Sequence, residues 1–158
     1  MELGKALVGL LFAAFIAVPL LLIYQHKRKQ QQQLYAELNK IAKANGVKLG
    51  KVEYGLNYAI GLDINEEFVL FSKRIDGIFQ KKIVRLSNLR YVHMNKVTYP
   101  NGGGSDFKIR KVELAFQPKD YSKPTHVFNF FDEKEDQLST ELEHAKKWEA
   151  KLGKYVLF

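Results

Sequence analysis

Five basic residues in the middle of the chain are its clearest candidates for a binding site: Lys73, Arg74, Lys81, Lys82 and Arg85. Asp76 is the only acidic residue among them. Ammonium and guanidinium groups donate hydrogen bonds to phosphate oxygens, so the cluster predicts contact with a lipid headgroup or with a protein partner. A solvated strand face is the alternative, and non-specific attraction to an anionic membrane leaflet is a third possibility.

Patterns for catalysis or metal binding are missing from the sequence. Glu141 and His144 have the Glu-x-x-His spacing of di-iron sites, but the second copy and the further carboxylates that such sites need are absent. The glycines at 102–104 are predicted to form a turn, and they lack the Lys-Ser/Thr of a phosphate loop. No Gly-x-Ser-x-Gly motif and no cysteine nucleophile occur. We therefore predict a non-catalytic protein with no metal and no other cofactor.

An uninterrupted apolar segment covers residues 6–24 and is followed closely by Lys27, Arg28 and Lys29. A helix of this length extends about 28 Å, close to the thickness of the hydrocarbon core of a bilayer. A cleaved signal peptide is the alternative, although its apolar core is usually shorter and ends in small residues. Pro19 lies inside the segment, where membrane helices tolerate it. The sequence predicts one transmembrane helix after a short tail, residues 1–5.

The charges that flank this helix predict its orientation. Only Glu2, Lys5 and the amino terminus precede the helix, and strongly positive flanks remain on the cytoplasmic side. We therefore expect the N-terminus outside and the C-terminal domain in the cytoplasm, at the cell (inner) membrane. Within the helix, Gly9, Ala13 and Ala17 recur every four residues, a spacing that permits close packing against another membrane helix.

The formal net charge of +8 lies almost entirely after the apolar segment. A basic domain beside a membrane meets an anionic leaflet first, and each Lys or Arg near that surface contributes about 1 kcal/mol. Nucleic acid is the generic alternative partner for such charge, but the membrane tether argues against it. We expect the anionic leaflet and a membrane-protein partner or complex as partners, and no nucleic acid.

The remaining sequence predicts a juxtamembrane helix over residues 25–45 and a globular domain over residues 46–158. Leu34, Leu38 and Ile41 have helical spacing, and Gly46 is placed to end the helix. The apolar face of this helix either packs on the domain or pairs with another helix, and two heptads are too few for a stable coiled coil. Seven short runs rich in Val, Ile, Phe and Tyr predict strands in an antiparallel sandwich or barrel: 47–54, 57–64, 68–74, 79–86, 90–98, 107–116 and 125–131.

A final helix is predicted after the strands. Asp132 is placed to cap it, with Glu135 three residues later. Apolar residues then recur every three or four positions, and Gly153 is placed to end the helix: Leu138, Leu142, Ala145, Trp148 and Leu152. We expect this helix to cover the strands, with Trp148 as its largest buried side chain.

Three stretches carry a resemblance to a known family. Residues 58–71 resemble the opening hairpin of a pleckstrin-homology-like (PH-like) domain, and residues 83–92 resemble a strand-turn-strand signature of such domains. The terminal helix with Trp148 resembles their closing helix. The chain is similar to bacterial membrane-anchored PH-like domain proteins over roughly residues 47–155. The resemblance implies an α+β, mainly β fold, a seven-strand antiparallel barrel or sandwich closed by the C-terminal helix.

The resemblance also bears on function. PH-like domains bind lipids or peptides, and some hold complexes together. We therefore expect a single-pass membrane protein whose basic domain is an interaction module at the cytoplasmic membrane face. It would dock a protein partner or anionic headgroups. The alternative is a small accessory subunit of a larger membrane complex that is held through the transmembrane helix, and a membrane-bound enzyme is a third possibility.

Overall fold

The computed structural model of the chain describes residues 2–102 and 106–156, and it confirms the predicted α+β class. Gly103, Gly104 and Ser105 of the predicted glycine turn lie outside the described residues. The elements in chain order are helix α1 (Glu2–Ala44), strands β1 (Leu49–Tyr54), β2 (Tyr58–Asp63), β3 (Phe68–Ile75), β4 (Ile78–Arg85), β5 (Leu89–Pro100), β6 (Phe107–Pro118) and β7 (His126–Asp132), and helix α2 (Glu141–Val156).

Helix α1 contains both the apolar segment and the predicted juxtamembrane helix, and Pro19 lies within it. By length and composition α1 is a candidate membrane span, and none of its most apolar stretch is buried in the structure. The chain divides into two compact units, Met1–Gln33 and Leu34–Phe158, so the last turns of α1 belong to the same unit as the strands.

The end of α1 is defined by a glycine C-cap. Gly46 has a φ of 69°, a left-handed conformation that glycine adopts without a steric penalty from a Cβ. The N–H of Gly46 donates to the carbonyl of Lys43 at 3.1 Å, and the N–H of Val47 donates to that of Ala42 at 3.0 Å. This pair of bonds is a Schellman motif, and it confirms Gly46 as the residue that stops the helix.

The strands form two antiparallel sheets and no closed barrel within the described residues. The first sheet has the order β1-β2-β3-β4 and the second has the order β5-β6-β7. Within each sheet, every strand pairs with its neighbour in sequence, whereas β4 and β5 belong to different sheets. In one such turn, the carboxylate of Asp63 accepts N–H bonds from Asn65, Glu67 and Phe68 at 2.7–3.2 Å.

The main core lies between the two sheets. Phe71 of the first sheet stacks on Phe128 of the second with ring centroids 4.8 Å apart, and Tyr58 meets Phe130 edge to face at the same distance. Such aromatic pairs contribute about 0.5–1.5 kcal/mol beyond the area they bury. Trp148 of α2 is fully buried in the same cluster, as the sequence predicts.

A second, smaller core covers the opposite face of the first sheet. Leu34, Leu38 and Ala42 of α1 pack against Ala59 and Leu70 and are at most 1% exposed. The apolar spacing of this helix therefore serves packing on the domain. The first sheet is consequently covered on both faces, by the second sheet on one side and by the end of α1 on the other.

Helix α2 begins later and also ends later in the chain than the sequence predicts. Asp132 does not cap it, because β7 runs through Asp132 and its carboxylate accepts the N–H of Lys134 at 3.1 Å. The helix begins nine residues later, at Glu141, and Leu138 lies outside it. Gly153 does not end it, because Val156 in the following turn still packs on the main core.

Candidate functional site

The five predicted basic residues lie on one hairpin but not on one surface. The turn at Asp76 and Gly77 has positive φ at both residues, 48° and 80°, as in the type I′ turns that favour two-residue hairpins. Residues directly opposite in an antiparallel pair share a face, and Lys82 pairs with Phe71 of the main core. Lys73 and Lys82 therefore lie on the face toward the second sheet, whereas Arg74, Lys81 and Arg85 lie on the face toward α1.

The side chain of Lys73 is buried and ion-paired within the domain, so it is not accessible to an external ligand. Its side chain is 1% exposed, and its Nζ lies 2.7 Å from Oδ2 of Asp136 and 3.5 Å from Oε2 of Glu135. Asp136 is itself 4% exposed and also accepts a hydrogen bond from Nδ2 of Asn57. A buried lysine requires such a partner, because an unpaired charge in the interior is strongly unfavourable. The pair fixes the segment between β7 and α2 against β3.

Other cations of the hairpin also have partners within the domain. Lys81 lies 2.8 Å from Oε2 of Glu37 on α1, and Lys82 donates to the carbonyl of Val127 on β7 at 2.6 Å. Arg85 lies above the ring of Phe68 and 3.7 Å from Glu67. Strand β4 is the edge of its sheet, and lysines on edge strands prevent pairing with other chains. A role of these cations in headgroup binding remains a prediction.

A polar cluster that the sequence did not predict joins α2 to the first sheet. Oε2 of Glu53 on β1 lies 3.0 Å from Nε2 of His144, 3.0 Å from Nζ of Lys147 and 3.2 Å from Nε1 of Trp148. On its other side, Nδ1 of His144 lies 2.6 Å from the hydroxyl of Tyr58 on β2. One carboxylate thus accepts hydrogen bonds from three side chains of one helix.

The contacts of His144 and Trp148 are shared between several partners. Each ring nitrogen of His144 has one polar partner on the first sheet, Glu53 at Nε2 and Tyr58 at Nδ1. The indole N–H of Trp148 lies 3.2 Å both from Oε2 of Glu53 and from Nε2 of His144. Burial raises the pKa of Glu53, but hydrogen bonds from Lys147 and His144 outweigh burial and hold it below the ordinary value. Burial and the nearby carboxylate of Glu141 raise the pKa of Tyr58 far above its ordinary value.

The cluster is better suited to fixing α2 than to catalysis. Tyr58 is 0% exposed, so its hydroxyl does not meet solvent. The open depression beside the cluster has a volume of about 260 Å³ and is lined by Tyr54, Thr140, Glu143, His144 and Lys147. Glu141 of the Glu-x-x-His pair is buried and accepts the N–H of Ser139 at 2.6 Å. Within residues 2–102 and 106–156, no group of three or more His, Cys, Asp or Glu side chains could hold a metal ion.

A third contact of α2 reaches the turn between β2 and β3. The hydroxyl of Tyr155 donates to Oε2 of Glu66 at 2.7 Å, and this hydrogen bond raises the pKa of Tyr155 to about 12. Near the middle of the helix, Glu149 accepts the N–H of Met94 on β5 at 2.7 Å. Helix α2 is therefore bound to the edge strands of both sheets, β1 and β5, in addition to its apolar packing.

The small residues of α1 are exposed on the surface of the helix. Gly9, Ala13 and Ala17 are exposed, and a Cβ added at Gly9 would meet no atom within 4 Å. Their spacing places them on one helical face. Packing of this face against another membrane helix remains a prediction.

One sequence signal could have pointed to the Glu53 cluster. His144 and Trp148 are four residues apart on a helix, so their polar ring atoms share a face. Because that face is also the apolar face that packs on the strands, the polar ring atoms required a buried acceptor on a strand.

Comparisons of the chain with protein-family models, with curated proteins and with solved structures found no significant match.

Proposed function

We propose that this chain is a membrane-tethered interaction module, with a single N-terminal span and a domain that binds partners. The observation that carries the proposal is the exposure of α1. Thirteen large apolar side chains from Leu7 to Tyr24 are 53–82% exposed. Removing this many such side chains from water is worth roughly 20–40 kcal/mol, so a bilayer is a far more stable environment for them than water.

The charge asymmetry around α1 supports a cytoplasmic domain. Lys27, Arg28 and Lys29 follow the apolar segment, whereas Lys5 and the amino terminus precede it. Short basic flanks are retained on the cytoplasmic side during insertion. The proposed arrangement therefore has the N-terminus outside and residues from 25 onward inside.

The two antiparallel sheets followed by a helix support the resemblance to PH-like domains. Seven antiparallel strands followed by a helix with a buried Trp148 are the elements that this resemblance implies. Fold alone does not supply function, so the docking role rests on charge and location. Residues 46–158 carry 19 Lys and Arg against 15 Asp and Glu, a net charge of +4 out of the +8 of the chain, which favours a protein partner with acidic residues or anionic headgroups.

A second candidate function is that of an accessory subunit held through α1. The open face at Gly9, Ala13 and Ala17 favours it, because small residues allow helix backbones to approach closely in a membrane. The two candidates differ in which part of the chain carries the partner. The test is co-purification of a partner in mild detergent. Loss of the partner in a variant with Gly9→Leu and Ala13→Leu would support the accessory subunit, whereas loss of the partner on changes in the domain would support the interaction module.

Membrane fractionation tests the tether. The full chain should remain with membranes after an alkaline wash and should be released by detergent at its full mass, which also separates an anchor from a cleaved signal peptide. Leu11→Lys with Ile16→Lys should move the chain out of the membrane fraction, because each lysine near the centre of a span costs about 2.5–3.5 kcal/mol. Ile78→Lys with Phe107→Lys, at residues 72% and 68% exposed in the domain, is the matched control and should leave it there. Release of the wild-type chain by the wash alone would contradict the tether.

A further inference from the structure

A cavity outside the features described above lies where the ends of the two sheets meet. It has a volume of about 280 Å³ and is lined from one side by the end of β4 and the turn that follows it. The other side is the loop between β6 and β7. The lining residues that carry the argument are Arg85, Lys119, Asp120, Lys123 and His126.

The side chains of Lys119 and Lys123 on this loop, and of His126 at the start of β7, are not used in holding the fold. Lys119, Lys123 and His126 are exposed, and none of their side chains makes a hydrogen bond or ion pair with another side chain or carbonyl in the described part of the chain. This distinguishes them from Lys73 and Lys81, whose ammonium groups are bound to carboxylates. The position of the loop is set by its backbone, since the N–H of Lys119 donates to the carbonyl of Asn88 at 2.8 Å.

The single carboxylate of the lining is directed into its own loop. Asp120 Oδ1 accepts the Oγ–H of Ser122 at 2.7 Å and its N–H at 3.0 Å. These two hydrogen bonds lower the pKa of Asp120, so it carries its negative charge at neutral pH. Lys119 and Lys123 against Asp120 leave an excess of one positive charge, and Arg85 adds a second that Glu67, 3.7 Å away, partly offsets.

We propose that this cavity binds the phosphate group of a small anionic ligand. A phosphate monoester carries about −1.5 to −2 charges at pH 7 and three strong acceptor oxygens, which match the excess charge and the donors of Lys119, Lys123 and His126. The guanidinium of Arg85 lies over Phe68 and near Glu67. It therefore contributes a positive electrostatic potential and is not required as a hydrogen-bond donor to the phosphate. The volume lies just below the range of about 300–1,000 Å³ for drug-sized ligands, which favours a headgroup-sized ligand.

The proposal deepens the proposed function and rests on it only for the source of the phosphate. In a tethered domain the phosphate would belong to a lipid headgroup, and in a domain free of the membrane it would belong to a soluble phosphomonoester. The binding chemistry is shared. Titration in neutral detergent micelles separates the two questions, because it does not depend on insertion into a bilayer.

The experiment is a titration of the full chain with inorganic phosphate, followed by backbone amide resonances. The expected result is a set of saturable shifts confined to the amides of residues 83–89, 119–123, 125 and 126. Lys119→Gln with Lys123→Gln should weaken binding about tenfold or more. The matched control is Lys96→Gln with Lys108→Gln, which removes two exposed lysines of β5 and β6 that do not line the cavity. It should change the dissociation constant less than twofold.

A second arm adds phosphatidate to the micelles. Competition between phosphatidate and inorganic phosphate at the same resonances would assign the site to headgroups, and saturation by phosphate alone would assign it to soluble ligands. Shifts that do not saturate, or equal weakening in both double variants, would overturn the proposal. Unchanged resonances elsewhere verify that each variant is folded. Membrane fractionation is unaffected by these outcomes, so failure of the site and failure of the tether remain distinguishable.

Discussion

Lys73 shows how a residue type that suggests binding can serve the interior instead. Its ammonium group is enclosed between the two sheets and balanced by Asp136. Removal of one partner of a buried ion pair destabilises the fold far more than removal of both, because the remaining charge has neither solvent nor counterion. The sequence places Lys73 beside Arg74 in an apparently uniform basic cluster, but the two side chains lie on opposite faces of β3.

The first prediction concerns this pair. Lys73→Met should lower the free energy of unfolding by about 3–5 kcal/mol, because it leaves the carboxylate of Asp136 buried and unpaired. Adding Asp136→Asn should recover a large part of the loss. The control is Lys81→Met, since its surface ion pair with Glu37 is worth at most about 1 kcal/mol. Denaturant unfolding in detergent, followed by the fluorescence of the single tryptophan, measures all three. Equal losses at Lys73 and Lys81 would contradict the assignment.

Glu53 is the second residue whose environment has a measurable consequence. Three donors from α2 converge on Oε2 of Glu53. Burial raises the pKa of Glu53, but the hydrogen bonds from Lys147 and His144 outweigh burial and lower the pKa from the ordinary value of 4.5. A carboxylate with a lowered folded pKa stabilises the folded state above its unfolded pKa. That contribution is lost as the pH falls through the folded value.

The second prediction follows from this sign. Between pH 7 and pH 5 the stability that Glu53 contributes should be constant, and below about 4.5 it should decline. Glu53→Gln should therefore be less stable than the wild type at pH 7, and the difference should shrink as the pH is lowered toward 3. Glu143→Gln removes an exposed carboxylate of the same helix and should keep the acid sensitivity of the wild type. The measurement is the urea midpoint across a pH series, and a constant difference between wild type and Glu53→Gln would argue against this role.

At the scale of elements, the end of α1 is part of the domain. Leu34, Leu38 and Ala42 are buried against the outer face of the first sheet. Without them, Ala59 and Leu70 would be exposed on that face. The helix that continues from the apolar segment thus completes the hydrophobic core of the domain, and α2 completes it at the edges of β1 and β5.

The third prediction tests this packing. Leu38 is 0% exposed, and Leu38→Ala should lower the free energy of unfolding by about 2–5 kcal/mol through lost burial and a cavity. Tyr35, one turn earlier and 42% exposed, is the control, and Tyr35→Ala should cost much less. The readout is again denaturant unfolding followed by tryptophan fluorescence. Similar small losses at both positions would mean that α1 is not part of the cooperative unit.

At the scale of the whole molecule, charge and apolar surface are separated along the chain. The apolar segment, residues 6–24, contains no charged residue, and every basic residue except Lys5 follows it, from Lys27 onward. This asymmetry decides orientation if the chain inserts in a membrane, because lysine and arginine in a short flank resist translocation.

The fourth prediction is an orientation experiment. A cytoplasmic reporter fused after Phe158 should be active, and a reporter that works only outside the cytoplasm should be silent. Replacing Lys27, Arg28 and Lys29 by Gln should weaken this preference, because it removes the positive flank. Replacing Lys146, Lys147 and Lys151 by Gln leaves the flank intact and should not affect orientation. The reverse reporter pattern in the wild type would overturn the proposed topology.

Much of the secondary structure is predictable from the sequence because it depends on local patterns. The alternation of apolar residues, together with turn residues such as Asp76-Gly77, predicts the ends of each strand to within two residues of those observed. The start of α2 is the main exception. Asp132 satisfies the local rule for a helix cap, but its carboxylate is engaged by Lys134 and by Lys111 of β6 at 3.2 Å, and a contact with another strand is not visible in a local window.

By itself, the sequence determines the apolar helix, the class of the domain and the burial of Trp148, because each follows from hydrophobic periodicity along a continuous segment. Only the tertiary structure decides which charges are free. Lys73 reaches Asp136 across 63 positions and Glu53 reaches His144 across 91, so no spacing rule connects them. The alternation of a strand divides neighbouring residues between two faces, and the packing of the second sheet and of α1 then determines the surroundings of each face. Lys73 is enclosed for that reason, whereas Lys119 and Lys123, on a loop at the open end of the sheets, remain available.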